Sequence, residues 1–305
     1  MQTLLTITGP TACGKTALAV GLALRHDGEI ISADSRQVFR GMDIGTGKDL
    51  SEYVVEGRSV PYHLIDICEA GEEYNVYQFQ RDFLNAYRRI VDAGHIPIMC
   101  GGTGMYIDSI VREYQLSNAP VDMEYRKTLE NCSDEDLAKR LASYIKLHNH
   151  TDTETRDRLI RALEIQEYQR LHPDDYHVMP SLNHVVVAVC YPREIVVSRI
   201  EQRLNKRLQE GMIDEVQRLI TQGVPIERLL RYGLEYKHIT RYLTSQCSYE
   251  EMYENLFTDI RRFSKRQMTW LRHTERAGTK IHWIDGLLST TEKINIIEQL
   301  AFAKV

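Results

Sequence analysis

Several features that would assign this chain to a specialised class are missing from its sequence. No apolar run approaches the roughly 18 residues that a membrane-spanning helix requires, so we expect no membrane association. Residues 1–5 lack the basic leader and the small-residue cleavage site of a secretory signal, and we therefore expect a cytoplasmic protein. Internal repeats and low-complexity tracts are also missing, which argues for an ordinary globular protein.

The cysteines lack the grouping that disulfide or zinc chemistry needs. There are six of them, with no CxxC pair and no nearby cysteine–histidine set at zinc-ligand spacing. We interpret them as small buried hydrophobic residues in a reducing compartment. They are Cys13, Cys68, Cys100, Cys132, Cys190 and Cys247.

An excess of basic residues is also missing, since the net charge is -5 at pH 7. Any polyanion must therefore be bound by a local basic patch. Residues 259–272 form such a patch, with five basic residues, one acidic residue and the aromatic residues Phe263 and Trp270. This pattern suits a phosphate backbone with base stacking, and it equally suits an amphipathic helix with its aromatic residues in the core. We expect one face to be buried and the other to contact a polyanion.

The order of predicted elements indicates an α/β protein with an insertion. Strands predicted at 4–8, 29–34, 62–67 and 96–100 alternate with helices at 15–25 and 76–93, which is typical of a parallel sheet. The next stretch carries only helical patterns, at 134–147 and 155–169. A strand follows at 184–190, then helices at 194–222, 236–244 and 249–273, a strand at 280–285 and a closing helix. We predict a P-loop parallel sheet flanked by helices, formed by 1–112 and 184–305, with an all-helical domain inserted at 113–183.

A phosphate-binding pattern follows the first strand and opens the first helix. The eight residues match G-x-x-x-x-G-K-[ST], and we name them the phosphate loop: Gly9, Pro10, Thr11, Ala12, Cys13, Gly14, Lys15 and Thr16. Backbone N–H groups of such a loop surround phosphate oxygens, Lys15 offers an ammonium group, and Thr16 offers a hydroxyl ligand for Mg²⁺. The pattern leaves the identity of the phosphate ligand open. The candidates for a metal-binding acid, Asp34 and Asp66, each follow a strand that is not a clean aliphatic run.

Three further groups of residues carry chemistry. Asp34 follows a strand that we predict to lie beside the first one, where it acts as a proton acceptor or simply caps a turn. The glycine-rich residues 101–104 form a second loop at the same edge of the sheet. Four arginines share one helical segment, either as a solvated face or as a lid that brings positive charge to a leaving pyrophosphate. They are Arg193, Arg199, Arg203 and Arg207.

Taken in order along the chain, these motifs are specific enough to identify a family. Residues 9–16, 31–37, 41–46, 101–106, 158–164 and 265–272 together resemble the bacterial tRNA dimethylallyltransferases, also called tRNA isopentenyltransferases. The resemblance covers nearly the whole chain. Departures occur at Gly47 and Asp49, where the family commonly has alanine and proline, and at 232–237, where we transfer no residue roles.

The resemblance implies the reaction and the roles of individual residues. The phosphate loop would hold the diphosphate of dimethylallyl diphosphate, and the prenyl group would pass to N6 of the adenosine 3′ to the tRNA anticodon. Asp34 would be the general base, with Thr11 donating a hydrogen bond to the diphosphate and Mg²⁺ held on Thr16. Lys15, Arg203 and Arg199 would stabilise the departing charge.

The resemblance also implies a tRNA surface that contacts the anticodon stem-loop, with no obligate protein partner. The residues at family positions that contact tRNA are Asp34, Ser35, Arg36, Gln37, Thr103, Arg126, Arg158, Arg161, Lys265, Arg266, Gln267, Trp270 and Arg272. The acceptor base would have to leave the stack of the anticodon loop to reach the prenyl carbon.

Three other functions remain open from the residues alone. An adenylate isopentenyltransferase would use the same donor with a free nucleotide as acceptor, but it needs neither the insertion nor the basic segment. A P-loop kinase of a small molecule would share only the phosphate loop. A tRNA-binding module without activity would tolerate the loss of Asp34.

Overall fold

The computed structural model describes residues 2–144, 155–173 and 179–302, and the chain divides into two compact units. The larger unit comprises Met1–Glu113 and Pro180–Val305, and the smaller comprises Tyr114–Met179. Among the described residues, every helix is too short or too polar to cross a membrane. All six cysteines are free, with Cys13 and Cys100 buried.

The elements follow one another in this order. The chain begins with β1 (Leu4–Thr8), α1 (Lys15–His26), β2 (Gly28–Ser32), a 3₁₀ turn (Leu50–Tyr53), β3 (Val54–Val55), β4 (Arg58–Ser59), β5 (Tyr62–His63), α2 (Val76–Asp92), β6 (Ile96–Cys100) and α3 (Gly104–Val111). The smaller unit contains α4 (Met123–Leu129), α5 (Asp134–Tyr144) and α6 (Arg156–Leu171). The chain then continues through β7 (His184–Cys190), α7 (Arg193–Gln209), α8 (Met212–Thr221), α9 (Ile226–Leu229), α10 (Leu234–Leu243), α11 (Tyr249–Arg276), β8 (Ile281–Asp285) and α12 (Thr290–Phe302).

Six strands form one parallel sheet in the order β5-β2-β6-β1-β7-β8. β1 lies near its centre, pairing with β6 through Leu5 and Ile98 and with β7 through Leu5 and Val185. Every residue of β1 is buried, including Thr6 and Thr8, as is typical of a parallel strand covered on both faces. The sheet and its flanking helices confirm the predicted α/β class.

The position of β2 in this sheet corrects one expectation. We expected the strand before Asp34 to lie beside β1, but β6 lies between them, and β2 pairs with β6 through Ile30 and Ile98. Sequence order suggested the closer neighbour, because the connection from β1 to β2 is the shortest in the sheet. The strand that intervenes comes from later in the chain, which local patterns do not reveal.

Two predicted elements are shorter than expected, and each ends at a backbone turn. The strand predicted at 62–67 stops at His63, because Leu64 and Asp66 adopt positive φ angles of 61° and 55°. The helix predicted at 194–222 is two helices, α7 and α8, separated at Gly211 with φ 96°. Glycine adopts this left-handed conformation without strain, so it ends α7 and redirects the chain.

The smaller unit is a helical cluster around five buried leucines. They are Leu129, Leu137, Leu141, Leu159 and Leu163, contributed by α4, α5 and α6. The predicted helix at 134–147 corresponds to α5, and residues 145–147 lie outside the described residues. The predicted helix at 155–169 corresponds to α6, whose first turn is capped by the Thr155 side chain.

Candidate active site

Three loops leave the sheet at neighbouring points of one edge. The phosphate loop follows β1, the Asp34 loop (residues 33–37) follows β2, and the glycine loop (residues 101–104) follows β6. Because β6 lies between β1 and β2 in a parallel sheet, all three loops begin at the carboxyl ends of adjacent strands. Ligands of open α/β sheets bind at this kind of edge.

The phosphate loop has the conformation that its glycines allow. Gly9 has φ 143°, and a β-carbon there would lie 2.6 Å from the Val189 carbonyl oxygen, so only glycine fits. The Lys15 Nζ donates hydrogen bonds to the carbonyl oxygens of Gly9 at 3.1 Å and Pro10 at 2.8 Å. The ammonium group is therefore held by backbone carbonyl oxygens of the phosphate loop, and an anionic ligand can replace these contacts.

Gln267 of α11 joins the phosphate loop to the glycine loop. Its side-chain Oε1 accepts the Thr11 N–H at 2.8 Å, and its Nε2 donates to the Gly102 carbonyl oxygen at 2.9 Å. Gln267 was predicted to contact tRNA, but both ends of its amide are directed at these two loops. The sequence motif identified the residue without revealing this link.

The Asp34 loop packs directly on the glycine loop. The Thr103 hydroxyl accepts the Ser35 N–H at 3.0 Å, and the Thr103 N–H donates to the Ala33 carbonyl oxygen at 3.2 Å. A β-carbon on Gly101 would lie 2.3 Å from that same carbonyl oxygen, so this close approach requires glycine. Ser35 and Thr103, both predicted tRNA contacts, are therefore brought together.

Asp34 itself is half-buried at the edge of the sheet. Its Oδ1 accepts the Arg36 N–H at 2.9 Å, which is the turn-capping contact that the sequence allowed. Its Oδ2 makes no hydrogen bond within the described ranges, so one carboxylate oxygen remains open to a ligand. Turn capping and proton acceptance are thus compatible at this residue.

Gln37 and Arg36 occupy the far side of the same loop. The Gln37 amide accepts from the Ser32 hydroxyl at 2.8 Å and donates to the Gly47 carbonyl oxygen at 3.0 Å. The half-buried Arg36 passes close to Gly233, where a β-carbon would lie 3.6 Å from its Nε. Both are predicted tRNA contacts, and Gln37 also stabilises the turn at Gly47.

The arginines of α7 make different contacts. The Arg199 Nε donates to the Ala12 carbonyl oxygen at 2.6 Å, and its guanidinium lies 5.0 Å from the centre of the Tyr191 ring. Arg199 therefore supports the phosphate loop from behind. Arg207 is buried and pairs with Asp49 at 3.1 Å.

A small cavity of about 20 Å³ lies between the phosphate loop and α7. Its polar lining includes Thr11, Arg203, Arg207 and Glu235. Burial, with the neighbouring charge of Arg207, lowers the pKa of Arg203 to about 10, so the group stays protonated at neutral pH. Burial also raises the pKa of Glu235, against the opposing effect of the two arginines.

Sequence reasoning missed Glu215, a fully buried carboxylate on α8. It accepts the N–H groups of Asp43 at 2.9 Å, Ile44 at 2.7 Å and Gly45 at 3.0 Å, and the Tyr236 hydroxyl at 2.7 Å. The three backbone hydrogen bonds fix the segment that follows the Asp34 loop, and the fourth links Glu215 to α10. A single glutamate on an amphipathic helix gives no signal for such a role.

Lys48 is a second residue that sequence reasoning missed, and it forms an ion pair with Asp66. Its buried Nζ donates to the Phe39 carbonyl oxygen at 2.6 Å and to Asp43 at 2.8 Å, and it pairs closely with Asp66. Asp66, one of the two candidate metal-binding acids, is therefore engaged by Lys48. Asp34 is the candidate that forms no ion pair within the described residues, and it lies at the same sheet edge as the phosphate loop.

The basic segment lies on α11, the longest helix among the described residues. Lys265, Arg266 and Arg272 are exposed, and the buried face is formed by other side chains of the helix. Trp270 packs against the glycine loop, within 2.5 Å of where a Gly104 β-carbon would lie. Phe263, expected in the core if the helix were only structural, is 39% exposed under the Arg266 guanidinium.

Two of the three arginines predicted for the smaller unit, Arg126 and Arg161, contact one buried carboxylate. Arg126 forms two hydrogen bonds with Glu164, at 2.6 and 2.8 Å, and Arg161 forms a third at 3.1 Å. Burial alone would raise the pKa of Glu164, but these arginines hold it below its usual range. Arg158 lies on the first turn of the same helix, α6. The tRNA contacts of these three residues stay a prediction.

A metal ion at this edge would rely on few protein ligands. The described part of the chain holds no group of three or more histidine, cysteine, aspartate or glutamate side chains suited to a metal. The half-buried Thr16 hydroxyl, in the first turn of α1, makes no side-chain hydrogen bond there. Such a donor set fits Mg²⁺, which commonly takes its other ligands from phosphate oxygens and water.

Comparison with known proteins points to one family. The family model described as IPP transferase matches residues 37–274, and that of isopentenyl transferase matches residues 2–62. The chain is 48% identical over 296 residues to tRNA dimethylallyltransferase 2 of Bacteroides fragilis, covering 97% of each. It is 50% identical over 291 residues to tRNA dimethylallyltransferase 1 of Parabacteroides distasonis, covering 95% of each.

Solved structures agree with these relatives. The full-length tRNA isopentenylpyrophosphate transferase of Bacillus halodurans superposes with a TM-score of 0.72 at 32% identity, covering 98% of this chain and 95% of that one. A eukaryotic dimethylallyltransferase acting on tRNA superposes with a TM-score of 0.77, over 98% of this chain and 79% of that one. At 22% identity, that second likeness concerns the fold alone.

Proposed function

This chain belongs to the IPP transferase family and is a tRNA prenyltransferase, and we propose how its residues divide the reaction. The donor is dimethylallyl diphosphate and the acceptor is N6 of the adenosine on the 3′ side of the anticodon. Pyrophosphate is the second product. We expect the enzyme to meet its tRNA substrate in the cytoplasm.

One observation carries this proposal: the half-buried Asp34 carboxylate and the phosphate loop follow β2 and β1 at one edge of the sheet, and the glycine loop follows β6, the strand between them. A phosphate loop alone would serve a kinase equally well. The open oxygen of Asp34 supplies the second requirement, a proton acceptor across the cleft from the leaving group. The basic side of α11 supplies a surface for the acceptor RNA.

The proposed reaction is a single substitution at the allylic carbon. The N6 amine attacks C1 of the dimethylallyl group, a C–N bond forms, and the C1–O bond breaks with its electron pair leaving on pyrophosphate. Asp34 accepts the N6 proton and orients the amine, which is a poor nucleophile without such help. Lys15, Arg203 and the N–H groups of the phosphate loop stabilise the charge on the departing pyrophosphate.

The Thr16 hydroxyl would be a protein ligand for Mg²⁺, which commonly takes its other ligands from phosphate oxygens and water. When bound, it neutralises part of the diphosphate charge and so improves the leaving group. We infer that Thr11, whose backbone N–H bonds to Gln267, donates a hydrogen bond from its hydroxyl to the diphosphate.

Three incubations separate this function from its alternatives. With unmodified tRNA and labelled dimethylallyl diphosphate, we expect label in the RNA; replacing the tRNA with AMP should give no labelled nucleotide. With labelled ATP and no prenyl donor, we expect no turnover above background. Prenylated AMP would instead indicate an adenylate isopentenyltransferase, and ATP turnover without RNA labelling would indicate a kinase.

The Asp34→Asn variant tests the role of the carboxylate. Asparagine keeps the size and the turn contact to Arg36 but accepts a proton poorly, so we expect kcat to fall by about 10²-fold or more. The dissociation constant for tRNA, measured by filter binding, should change little. Unchanged prenyl transfer by this variant would show that Asp34 is not the base.

A further inference from the structure

Two arginines of the cavity beside the phosphate loop differ in what they contact. Arg207 donates to Asp49 at 3.1 Å, whereas Arg203 makes no hydrogen bond or ion pair within the described residues. Both guanidinium groups line the cavity together with Thr11. A half-buried cation without an ion pair raises the free energy of the folded protein unless an anion binds beside it.

The two guanidinium groups lie side by side against the backbone of Gly47. A β-carbon at Gly47 would lie 2.0 Å from the Arg207 Nη2 and 2.2 Å from the Arg203 Nη2. Gly47 also has φ 68°, a conformation that glycine adopts without strain. The absence of a side chain here is therefore what admits both arginines.

Asp49 is positioned for Arg207 rather than for its own local turn. It is the N-cap residue of the 3₁₀ turn Leu50–Tyr53, yet its side chain makes no capping hydrogen bond. Its backbone has the left-handed angles φ 40° and ψ 51°, which are unfavourable for a residue other than glycine. Its carboxylate instead bonds to Arg207. This ion pair offsets both the missing capping hydrogen bond and the unfavourable backbone conformation.

From this arrangement we propose that Arg207 is a positioning residue, which occupies the Asp49 carboxylate so that the neighbouring Arg203 stays free for the diphosphate. The inference rests on the proposed function and adds a residue to it. Without Arg207, the Asp49 carboxylate, the acidic group that acts most strongly on Arg203, would attract the guanidinium of Arg203. Arg203 would then turn from the phosphate loop, and the leaving group would lose a cation.

Binding of inorganic pyrophosphate, measured by titration calorimetry with Mg²⁺ present, tests this role directly. We expect Arg207→Met to weaken pyrophosphate binding by about tenfold or more, the loss typical of one strong charged contact. The double variant Arg207→Met/Asp49→Asn should recover binding to within about threefold of wild type, because the competing carboxylate is gone. Asp49→Asn alone should bind pyrophosphate at least as well as wild type.

The matched control is Lys206→Met, which removes the neighbouring cation of α7. Lys206 is exposed and pairs with Glu210, so its loss should leave pyrophosphate binding unchanged. Gly47→Ala should also weaken pyrophosphate binding, because a β-carbon at this position displaces both guanidinium groups. Melting temperatures and tRNA affinity verify that each variant is folded.

The outcomes separate this inference from the proposed function. A wild-type protein that neither binds pyrophosphate nor labels tRNA would overturn the function itself. If wild type does both, an Arg207→Met variant that binds pyrophosphate normally overturns only the positioning role. A double variant as defective as Arg207→Met also overturns it, because the defect would then come from the lost arginine and not from Asp49.

Discussion

At the scale of single residues, Gln267 shows how one side-chain amide can link two loops by hydrogen bonds. It is the one side chain among the described residues that bonds to both the phosphate loop and the glycine loop. Its neighbours on α11, Lys265 and Arg266, face solvent. The same short segment thus combines a link to the diphosphate site with a basic surface.

Removing this amide should lower the catalytic efficiency for the prenyl donor more than the affinity for tRNA. For Gln267→Ala we expect a stability loss of about 1 kcal/mol and a roughly tenfold lower kcat/KM for dimethylallyl diphosphate, with tRNA affinity nearly unchanged. Gln267→Glu should be more severe for the donor, because it cannot donate to Gly102 and adds a negative charge near Lys15. A tRNA affinity that falls as much as kcat/KM would instead make Gln267 an RNA contact.

Individual residues also mark the limit of what the sequence could predict. Asp34, Lys15 and Thr11 were identified because each belongs to a motif with a fixed spacing. Glu215 and Lys48 were not, because a buried charge is recognised by the partners that the fold brings to it, and no local pattern reveals those partners. Gly47 and Asp49 were noted only as departures from the family pattern, and both contact Arg207.

At the scale of elements, two histidines and a glutamate connect three strands of the sheet. Glu29 lies on β2, His63 ends β5, and His95 directly precedes β6. His63 Nε2 lies 2.6 Å from one carboxylate oxygen of Glu29, and His95 pairs closely with the other. The hydrogen bond that His95 donates to Glu29 raises the pKa of His95. Burial alone would raise the pKa of Glu29, but the two histidines hold it below its usual value.

These opposite shifts predict a stability window in pH. The contribution of His95 is fully present below its unfolded pKa of 6.5 and is lost as pH rises through its higher folded pKa. The contribution of Glu29 is present above its unfolded pKa of 4.5 and is lost as pH falls through its lower folded pKa. Urea unfolding across pH should therefore show a flatter profile for Glu29→Gln than for wild type. Parallel profiles would contradict a role for this cluster.

The elements themselves were predicted well where a periodic pattern was long or a motif fixed the boundary. β1, α2 and β7 occur close to the expected positions, and the Asn75 capping box explains the sharp start of α2. The break at Gly211 was missed because apolar residues recur at helical spacing on both sides of it. Strand order was beyond local patterns, as the insertion of β6 between β1 and β2 shows.

At the scale of the whole molecule, a negatively charged chain must bind a polyanion through a limited surface. The net charge of -5 opposes RNA at long range, so binding should depend on the exposed cations of α11. Release of counterions makes such contacts strongly dependent on salt.

This charge distribution predicts how tRNA affinity responds to salt. Lys265→Ala and Arg272→Ala should each weaken tRNA binding and reduce the slope of log affinity against log salt concentration by about 1. Arg218→Ala, an exposed cation on α8 outside the predicted tRNA set, should leave the slope unchanged. Equal slopes for all three variants would place the RNA surface elsewhere.

The contact of Trp270 with the glycine loop gives the protein an optical reporter. The chain has two tryptophans, and the other, Trp283 on β8, bonds to Glu275. Replacing Trp283 with phenylalanine leaves one indole, packed beside Gly104 at the mouth of the cleft. We expect the intrinsic fluorescence of that variant to change when substrate binds, so that binding can be followed in real time without an attached dye.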